Sequence, residues 1–226
     1  ATLGRNGPLA GLKVLVTAGG TQEPLDPVRH LTNRSSGKMG YAVAEAARDA
    51  GAHVTLVSAP TGLPQPFGID YVAARTAADM HAAVLARTDE TDVLIMSAAV
   101  ADYRPAQVSE HKIKKGDGGL TLPLERTIDI LQAVAGVREA TERPGLVVGF
   151  AAETENLLAN AHDKLTRKRM DLIVANDVSA SDSGFEVDTN RVTLLAPERA
   201  PEALPLMSKA EVAEQLVLRI ADLWRA

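Results

Sequence analysis

The sequence predicts an α/β fold of the Rossmann-like, doubly wound type, in which a mainly parallel sheet carries helices on both faces. The first observation is a series of short apolar, β-branched runs of about four to eight residues, which suit strands buried on both faces. The second is that segments with apolar residues at helical spacing lie between these runs. The third is that glycine and polar residues follow several runs directly, as they do where such folds bind ligands.

The predicted strands share one basis, a run of Val, Leu and Ile that stops at small or polar residues. The first run ends at Ala18-Gly19-Gly20, where backbone can approach a ligand closely. The run at 92–96 ends in small residues followed by Asp102 and Tyr103, which indicates a ligand loop. In chain order the predicted strands are 13–17, 53–58, 69–73, 92–96, 146–150 and 172–175, with 191–195 as an edge strand.

Helices are predicted where apolar residues recur every three or four positions and a capping signal is present. Thr76 with Asp79, and Ser208 with Glu211, form capping-box patterns. The first predicted helix begins after Gly37 and ends before Gly51, so residues 35–37 should lie at a helix N-terminus that can hold an anion. The other predicted helices are 76–87, 129–137, 156–169 and 208–224, and residues 104–127 are predicted to be irregular.

Composition excludes several classes of protein. The 226 residues are 46% hydrophobic and 23% charged, which is ordinary for a globular domain, and the net charge of −5 argues against a general nucleic-acid-binding surface. The absence of cysteine excludes disulfides and thiolate metal sites, and no signal peptide or apolar membrane span is apparent. We therefore expect a cytoplasmic protein with no nucleic-acid or membrane partner.

The first residues differ in character from the rest of the chain. The opening stretch includes Arg5-Asn6-Gly7-Pro8 and begins at Ala rather than Met. Such a stretch is typical of a linker. We therefore predict a linker-like N-terminus over 1–12, a single domain over 13–226, and an unseen upstream part.

Two nucleotide-binding patterns fail on inspection. Gly19-Gly20 lacks the full Gly-x-Gly-x-x-Gly fingerprint, no acidic residue ends the second strand, and no tyrosine is followed four residues later by lysine. Gly37-Lys38 lacks the leading glycine and the final hydroxyl of a P-loop. An NAD(P)-dependent Rossmann oxidoreductase is therefore kept only as an alternative, beside a noncatalytic nucleotide-binding module.

Several charged residues allow both a structural and a functional interpretation. The basic run at 112–115 is either a solvated loop or a loop that closes over phosphates. Lys164 and Lys168 share a helix face near a C-terminus, where the helix dipole alone would explain them. Asp102 and Asp129 could each hold a metal ion or a ribose, although Asp129 could equally cap its helix.

The motifs occur together in one order along the chain. They are Val-Thr-Ala-Gly-Gly-Thr at 16–21, Glu-Pro-Leu-Asp-Pro-Val-Arg at 23–29, Asn-Arg-Ser-Ser-Gly-Lys-Met-Gly at 33–40, Ala-Ala-Val-Ala-Asp-Tyr at 98–103, Lys-Ile-Lys-Lys at 112–115, Val-Gly-Phe-Ala-Ala-Glu-Thr at 148–154 and Ala-Asn-Asp at 175–177. Over 13–195 this series closely resembles phosphopantothenoylcysteine synthetase, the ligase of coenzyme A biosynthesis. One departure is Thr127-Ile128, where the bacterial pattern usually has Asn-Pro.

The resemblance implies a reaction and its partners. The family joins 4′-phosphopantothenate to L-cysteine through an acyl-cytidylate, converting CTP to CMP and pyrophosphate with Mg²⁺, and CTP is expected because the resemblance is to the bacterial branch. Residues 13–226 would then be a single nucleotide-binding ligase domain. The resemblance also implies a homodimer or higher homo-oligomer, and a flavin-dependent decarboxylase domain fused upstream.

The resemblance further assigns roles to individual residues. It implies Asn33, Lys112 and Arg29 as catalytic residues, and Gly19, Asn33, Ser35, Ser36 and Gly37 as the substrate site. It implies a nucleotide site that comprises Ala98, Asp102, Lys112, Ile128, Asp129, Ile130, Leu131, Phe150, Lys164 and Lys168. Asp102 is the expected metal ligand.

Overall fold

The structure, a computed structural model, describes residues 6–115, 118–153, 156–177 and 187–225. Its strands are β1 (Lys13–Ala18), β2 (Gln22–Pro24), β3 (His30–Thr32), β4 (His53–Ser58), β5 (Asp70–Ala73), β6 (Val93–Met96), β7 (Tyr103–Pro105), β8 (Leu124–Arg126), β9 (Leu146–Glu153), β10 (Leu172–Asp177), β11 (Thr189–Asn190), β12 (Val192–Leu195), β13 (Glu202–Ala203) and β14 (Met207–Ser208). Its helices are α1 (Lys38–Asp49), α2 (Ala77–Leu85), α3 (Ile130–Thr141), α4 (Leu157–Arg167) and α5 (Lys209–Trp224), with a short 3₁₀ helix at Thr88–Glu90.

The main sheet has the strand order β13-β12-β10-β9-β6-β1-β4-β5. The pairs from β10 across to β5 are all parallel, and β12 and β13 are antiparallel. The predicted mainly parallel, doubly wound sheet is therefore confirmed. The segment predicted as an edge strand became β12, which is not at the edge because β13 pairs outside it.

The strand order reverses between β1 and β6. From β1 the chain builds outward through β4 and β5, returns to β6 on the other side of β1, and continues outward to β9 and β10. In such sheets a crevice opens outside the carboxyl ends of the two strands at the reversal. Here the loops after β1 and β6 are joined, because Ala99 N–H donates to Gly19 O (2.8 Å) and Thr21 N–H donates to Ala99 O (3.2 Å).

Helices cover both faces of the sheet, as predicted. On one face α1 and α5 pack together, and their fully buried side chains include Val43, Leu216 and Ile220. On the other face α2, α3 and α4 pack through residues such as Val134 and Leu165. No helix within the described ranges has the length and apolarity needed to cross a membrane.

The helix ends follow the local signals in the sequence. The capping boxes at Thr76 and Ser208 are both present, and Asp129 is the N-cap of α3, its side chain accepting a hydrogen bond from Gln132 N (3.1 Å). Gly51 lies just past α1 with φ of +98°, a left-handed conformation that glycine adopts readily. Short-range capping was therefore readable from the sequence.

The segment 104–127 was predicted to be irregular, but it contains paired strands. β7 pairs antiparallel with β8, so that Tyr103 lies opposite Arg126. Both strands are only three residues long and mostly exposed, so they lack the apolar pattern from which strands are predicted.

The N-terminal residues of the described chain pack against the end of α1. Leu9 is fully buried, and its N–H donates to Ala50 O (3.0 Å). The packed domain thus includes Leu9, which lies in the stretch predicted as linker-like, and residues 1–5 lie outside the described residues.

Candidate active site

A cavity of about 680 Å³ opens outside the carboxyl ends of β6 and β9, where it is flanked by α3 and α4. Nine of the ten residues predicted to bind the nucleotide line it: Ala98, Asp102, Ile128, Asp129, Ile130, Leu131, Phe150, Lys164 and Lys168. The tenth, Lys112, is exposed and does not line this cavity. Residues from four separate segments are thus brought to one crevice.

The cavity walls carry a network of charged and polar contacts. Lys168 forms an ion pair with Asp129, the N-cap of α3, and Lys164 Nζ donates to Phe150 O (3.1 Å). Burial lowers the pKa of Lys168 below its ordinary value, and the negative charge of Asp102 opposes that shift. Asp129 therefore performs the capping role that the sequence left open and also contacts a cavity lysine.

Tyr103, from the predicted ligand loop, also lines the cavity, whereas sequence reasoning missed four further lining residues: Arg126, Thr127, Gln132 and Arg167. Thr127 replaces the asparagine of the usual pattern, and its hydroxyl donates to Ala101 O (2.5 Å). Its N–H also donates to Asp102 O (3.0 Å). Thr127 thereby holds the loop that carries Asp102. Arg126 and Thr127 were missed because the pairing of β7 with β8, which brings them beside that loop, was not predicted.

A divalent cation bound with a nucleotide needs only one or two protein carboxylates, because phosphate oxygens and water supply the other ligands. Within the described residues no three His, Cys, Asp or Glu side chains form a cluster suited to a metal ion. Asp102 offers one carboxylate at the cavity wall. The residues fit a Mg²⁺ ion that arrives with a nucleotide and do not form a self-sufficient metal site.

Glycines allow the loop after β1 to meet the N-terminus of α1. Gly19 and Gly37 have φ of +81° and +80°, and a Cβ at Gly37 would lie 2.7 Å from Thr61 Cγ2 and 3.4 Å from Gly19 Cα. Larger residues would therefore be strained and would push the two segments apart. Asn33 contacts the loops after both β1 and β6. Its Nδ2 donates to Ala99 O (3.2 Å) in the loop after β6, and its backbone carbonyl oxygen would be 3.0 Å from a Cβ at Gly20 in the loop after β1.

A smaller cavity of about 60 Å³ lies at the N-terminus of α1, and it is lined by the predicted substrate residues Ser35, Ser36 and Gly37. Phe150 lines both cavities, so the predicted substrate and nucleotide sites adjoin. A helix N-terminus favours an anionic group, because its first N–H groups point outward.

The inner wall of the smaller cavity contains Asn176, Asn190 and Lys209, which sequence reasoning did not assign to the site. The Oδ1 atoms of both asparagines are buried and have no hydrogen-bond partner in the described part of the chain. Burial lowers the pKa of Lys209, nearby Lys38 lowers it further, and Asp188 opposes the shift. Only Asn176 had a signal in the sequence, its position at the carboxyl end of a strand.

Arg29 and Lys112 lie together but outside both cavities. The Arg29 side chain pairs with Asp26, and its Nη2 donates to Ile113 O (2.8 Å), next to Lys112 in the chain. The structure thus brings the predicted catalytic arginine to the basic loop, and it does not bring either residue to the walls of the nucleotide cavity.

A sequence profile of the family described as DNA/pantothenate metabolism flavoprotein C-terminal domain matches residues 9–223. The chain belongs to this family. The match extends over nearly all of the packed domain, including Leu9 at its start, and so covers every predicted site residue.

Individual relatives agree with the family assignment. The chain is 48% identical over 217 residues to the Coenzyme A biosynthesis bifunctional protein CoaBC of Bacillus subtilis (strain 168), covering 96% of this chain and 52% of that protein. It is 45% identical over 218 residues to the CoaBC protein of Vibrio vulnificus (strain YJ016), covering 96% of this chain and 53% of that protein. The chain therefore spans about half the length of the curated relatives it matches.

A solved structure has the same fold. The crystal structure of the C-terminal domain of a Coenzyme A biosynthesis bifunctional protein CoaBC superposes with a TM-score of 0.82 at 40% sequence identity. The alignment covers 97% of this chain and 99% of the other.

Proposed function

We propose that this domain is a phosphopantothenate-cysteine ligase of coenzyme A biosynthesis. It would join 4′-phosphopantothenate to L-cysteine through an acyl-cytidylate, with conversion of CTP to CMP and pyrophosphate. The observation that carries the proposal is the 680 Å³ cavity outside the carboxyl ends of β6 and β9, which gathers nine of the ten residues predicted to bind the nucleotide. Membership of the family and the names of its relatives support the same activity.

The first half-reaction activates the carboxylate of phosphopantothenate. One carboxylate oxygen attacks the α-phosphorus of CTP, and the bond from that phosphorus to the β-phosphate oxygen breaks to release pyrophosphate. Negative charge builds on the leaving phosphates, so Lys164 and Lys168 at the cavity wall would stabilise the transition state. A Mg²⁺ ion held by Asp102 and the phosphates would supply further charge neutralisation.

The second half-reaction forms the amide. The neutral cysteine amine attacks the acyl carbon and gives up a proton to phosphate or water, and collapse of the tetrahedral oxyanion breaks the bond to the CMP oxygen and expels CMP. Asn33 would donate an amide N–H to that oxyanion, because its side chain lies beside the loops after β1 and β6. The N-terminus of α1 with Gly19, Ser35, Ser36 and Gly37 would hold the substrate, Arg29 would bind on the same side, and Lys112 would act in this half-reaction.

Two partner proposals accompany the reaction. A flavin-dependent decarboxylase domain fused upstream fits the bifunctional relatives, of which this chain spans about half. A homodimer fits the exposed apolar side chains near the β7–β8 hairpin and the turn at residues 26–29, which are Val28, Val108 and Leu124.

Turnover with phosphopantothenate, cysteine and either CTP or ATP tests the proposal. Pyrophosphate release and mass-detected phosphopantothenoylcysteine should both appear with CTP. The double variant Lys164→Gln/Lys168→Gln should bind CTP more weakly, whereas Lys13→Gln, at the opposite end of β1, should not. CTP binding without any turnover would favour the noncatalytic module, and binding of a nicotinamide cofactor in place of CTP would favour the oxidoreductase.

A further inference from the structure

A buried carboxylate links two loops that the proposed mechanism uses separately. Asp26 is only 4% exposed, and its Oδ1 accepts hydrogen bonds from Val28 N and Arg29 N, both at 2.8 Å. Its Oδ2 accepts from Arg29 Nε (3.0 Å), Arg29 Nη2 (2.5 Å) and Ile113 N (3.1 Å). The two carboxylate oxygens thus have different roles, since Oδ1 closes the local turn and Oδ2 reaches a distant segment.

The distant segment is the basic loop, and both backbone polar groups of Ile113 in that loop are hydrogen-bonded. Ile113 N–H donates to Asp26, while Ile113 O accepts from Arg29 Nη2 (2.8 Å). A further bond from Ser109 N to Leu25 O (3.0 Å) ties the start of the same loop. Lys112, Lys114 and Lys115 are exposed on either side of this anchor. The backbone between these exposed side chains is hydrogen-bonded to the turn of residues 26–29.

The charge state of Asp26 supports its link to Arg29 and Ile113. The Arg29 side chain holds the pKa of Asp26 far below its ordinary range, burial opposes this, and backbone N–H groups of Val28, Ile113 and Arg29 add to the lowering. Asp26 is therefore ionised throughout the working range of an enzyme. Hydrogen bonds to an ionised acceptor are also the stronger kind.

We propose that Asp26 is a positioning residue that holds the basic loop at residues 112–115 in register with Arg29, so that Lys112 can act in amide formation. This inference rests on the proposed ligase function. Asp26 itself is buried behind Arg29 and acts through the two residues that it anchors. A misplacement of about 1 Å in a reacting group can cost about 100-fold in rate, so a single anchor is enough to matter.

Asp26→Asn tests the anchor, because an amide retains one acceptor oxygen but places an NH₂ group where donors from Arg29 and Ile113 converge. We expect amide formation to fall by about 100-fold, while single-turnover pyrophosphate release at saturating phosphopantothenate stays near the wild-type rate. The combination with Lys112→Gln should be no slower than Lys112→Gln alone, because both changes remove one function. A merely structural effect would slow both half-reactions and would multiply with Lys112→Gln.

Limited trypsin digestion supplies a readout that needs no turnover. Cleavage after Lys112, Lys114 or Lys115, located by mass spectrometry, should be faster in Asp26→Asn than in wild type. Glu202→Gln is a matched control, since Glu202 in β13 also accepts two hydrogen bonds from an arginine side chain but does not contact the basic loop. Equal cleavage in Asp26→Asn and wild type would overturn the anchor.

A second variant keeps the test decisive if Asp26→Asn fails to fold. Ile113→Pro removes the loop's own N–H donor and leaves the turn of residues 26–29 intact. It should produce the same pair of effects, selective loss of amide formation and faster cleavage after Lys114 or Lys115; the site after Lys112 is not scored, because trypsin does not cut before proline. Faster cleavage with unchanged amide formation would refute the positioning role. Absence of turnover in the wild-type domain would instead refute the ligase, and the digestion would still report on the anchor.

Discussion

Asn33 is held by one of its two amide hydrogens, which points at Ala99 O (3.2 Å), and the oxyanion role requires the other. Asn33→Asp would place a carboxylate against the developing oxyanion and remove the donor. We expect amide formation to fall by about two to three powers of ten. Single-turnover product yield measures this, with Asn6→Asp as an exposed control. Near-normal product formation in the variant would exclude the role.

If Lys168 contacts the nucleotide, CTP binding should be sensitive to alkaline pH. Because burial lowers its pKa below the ordinary 10.5, its ammonium group is lost at a lower pH than that of an exposed lysine. CTP affinity should therefore weaken as pH rises through that lowered value, and calorimetric titration across pH would measure it. Lys168→Arg, which stays charged, should flatten the profile. An unchanged alkaline profile in this variant would mean that Lys168 does not contact the nucleotide.

The lowered pKa of Lys168 has the opposite effect on folding stability: stability rises with pH where CTP affinity falls. Between the lowered pKa and 10.5 the folded state binds fewer protons than the unfolded chain at Lys168, so this residue's contribution to stability rises with pH in that window. Deprotonation of Lys168 should therefore weaken CTP binding without destabilising the fold. Thermal unfolding in the same buffers separates the two effects.

Helix α1 packs against β1 without space to spare. A Cβ at Gly40 would lie 2.6 Å from Ala18 Cβ and 2.9 Å from Thr17 O, whereas nothing lies within 4 Å of a Cβ at Gly136 in α3. Gly40→Ala should destabilise the fold by about 1–3 kcal/mol, and Gly136→Ala should stabilise it by about 0.5–1 kcal/mol. Urea denaturation measures both. Equal stability of the two variants would contradict this packing.

The basic loop separates a structural from a functional interpretation of Lys112. An exposed charge in a solvated loop usually changes stability by less than about 0.5 kcal/mol and would leave both half-reactions intact. If Lys112 acts in amide formation, Lys112→Gln should release pyrophosphate in one turnover but make little product, and acyl-cytidylate should accumulate. Quenched reactions with and without cysteine, analysed by mass, measure this. Equal product yield in variant and wild type would remove the role.

The whole molecule is expected to be at least a dimer. Val28 and Leu124 are 62% and 48% exposed on neighbouring segments, a cost that association would remove. Sedimentation should show a dimer at working concentrations, and Val28→Asp should weaken it. Phe67→Asp is the matched control, because Phe67 is 84% exposed in the separate loop before β5. An active monomer would contradict the prediction.

Much of the architecture could be predicted because its signals are local. The strand at 53–58 and both capping boxes were placed correctly, since they depend on residues within a few positions of one another. The β7–β8 hairpin was missed because its three-residue, exposed strands carry no apolar pattern. The assignment of β12 to an edge failed because the shorter β13 gave no signal of its own.

The sequence by itself determined the order of the helices and of the parallel strands of the main sheet, because hydrophobic periodicity and capping are properties of short segments. It also predicted that ligands bind at the carboxyl ends of those strands. Only the tertiary structure decided which side chains share a cavity or a hydrogen bond. Asp26 and Ile113 are 87 positions apart, and Asn176 and Lys209 line one cavity from different elements. Such pairings depend on how whole elements pack, and no local pattern encodes them.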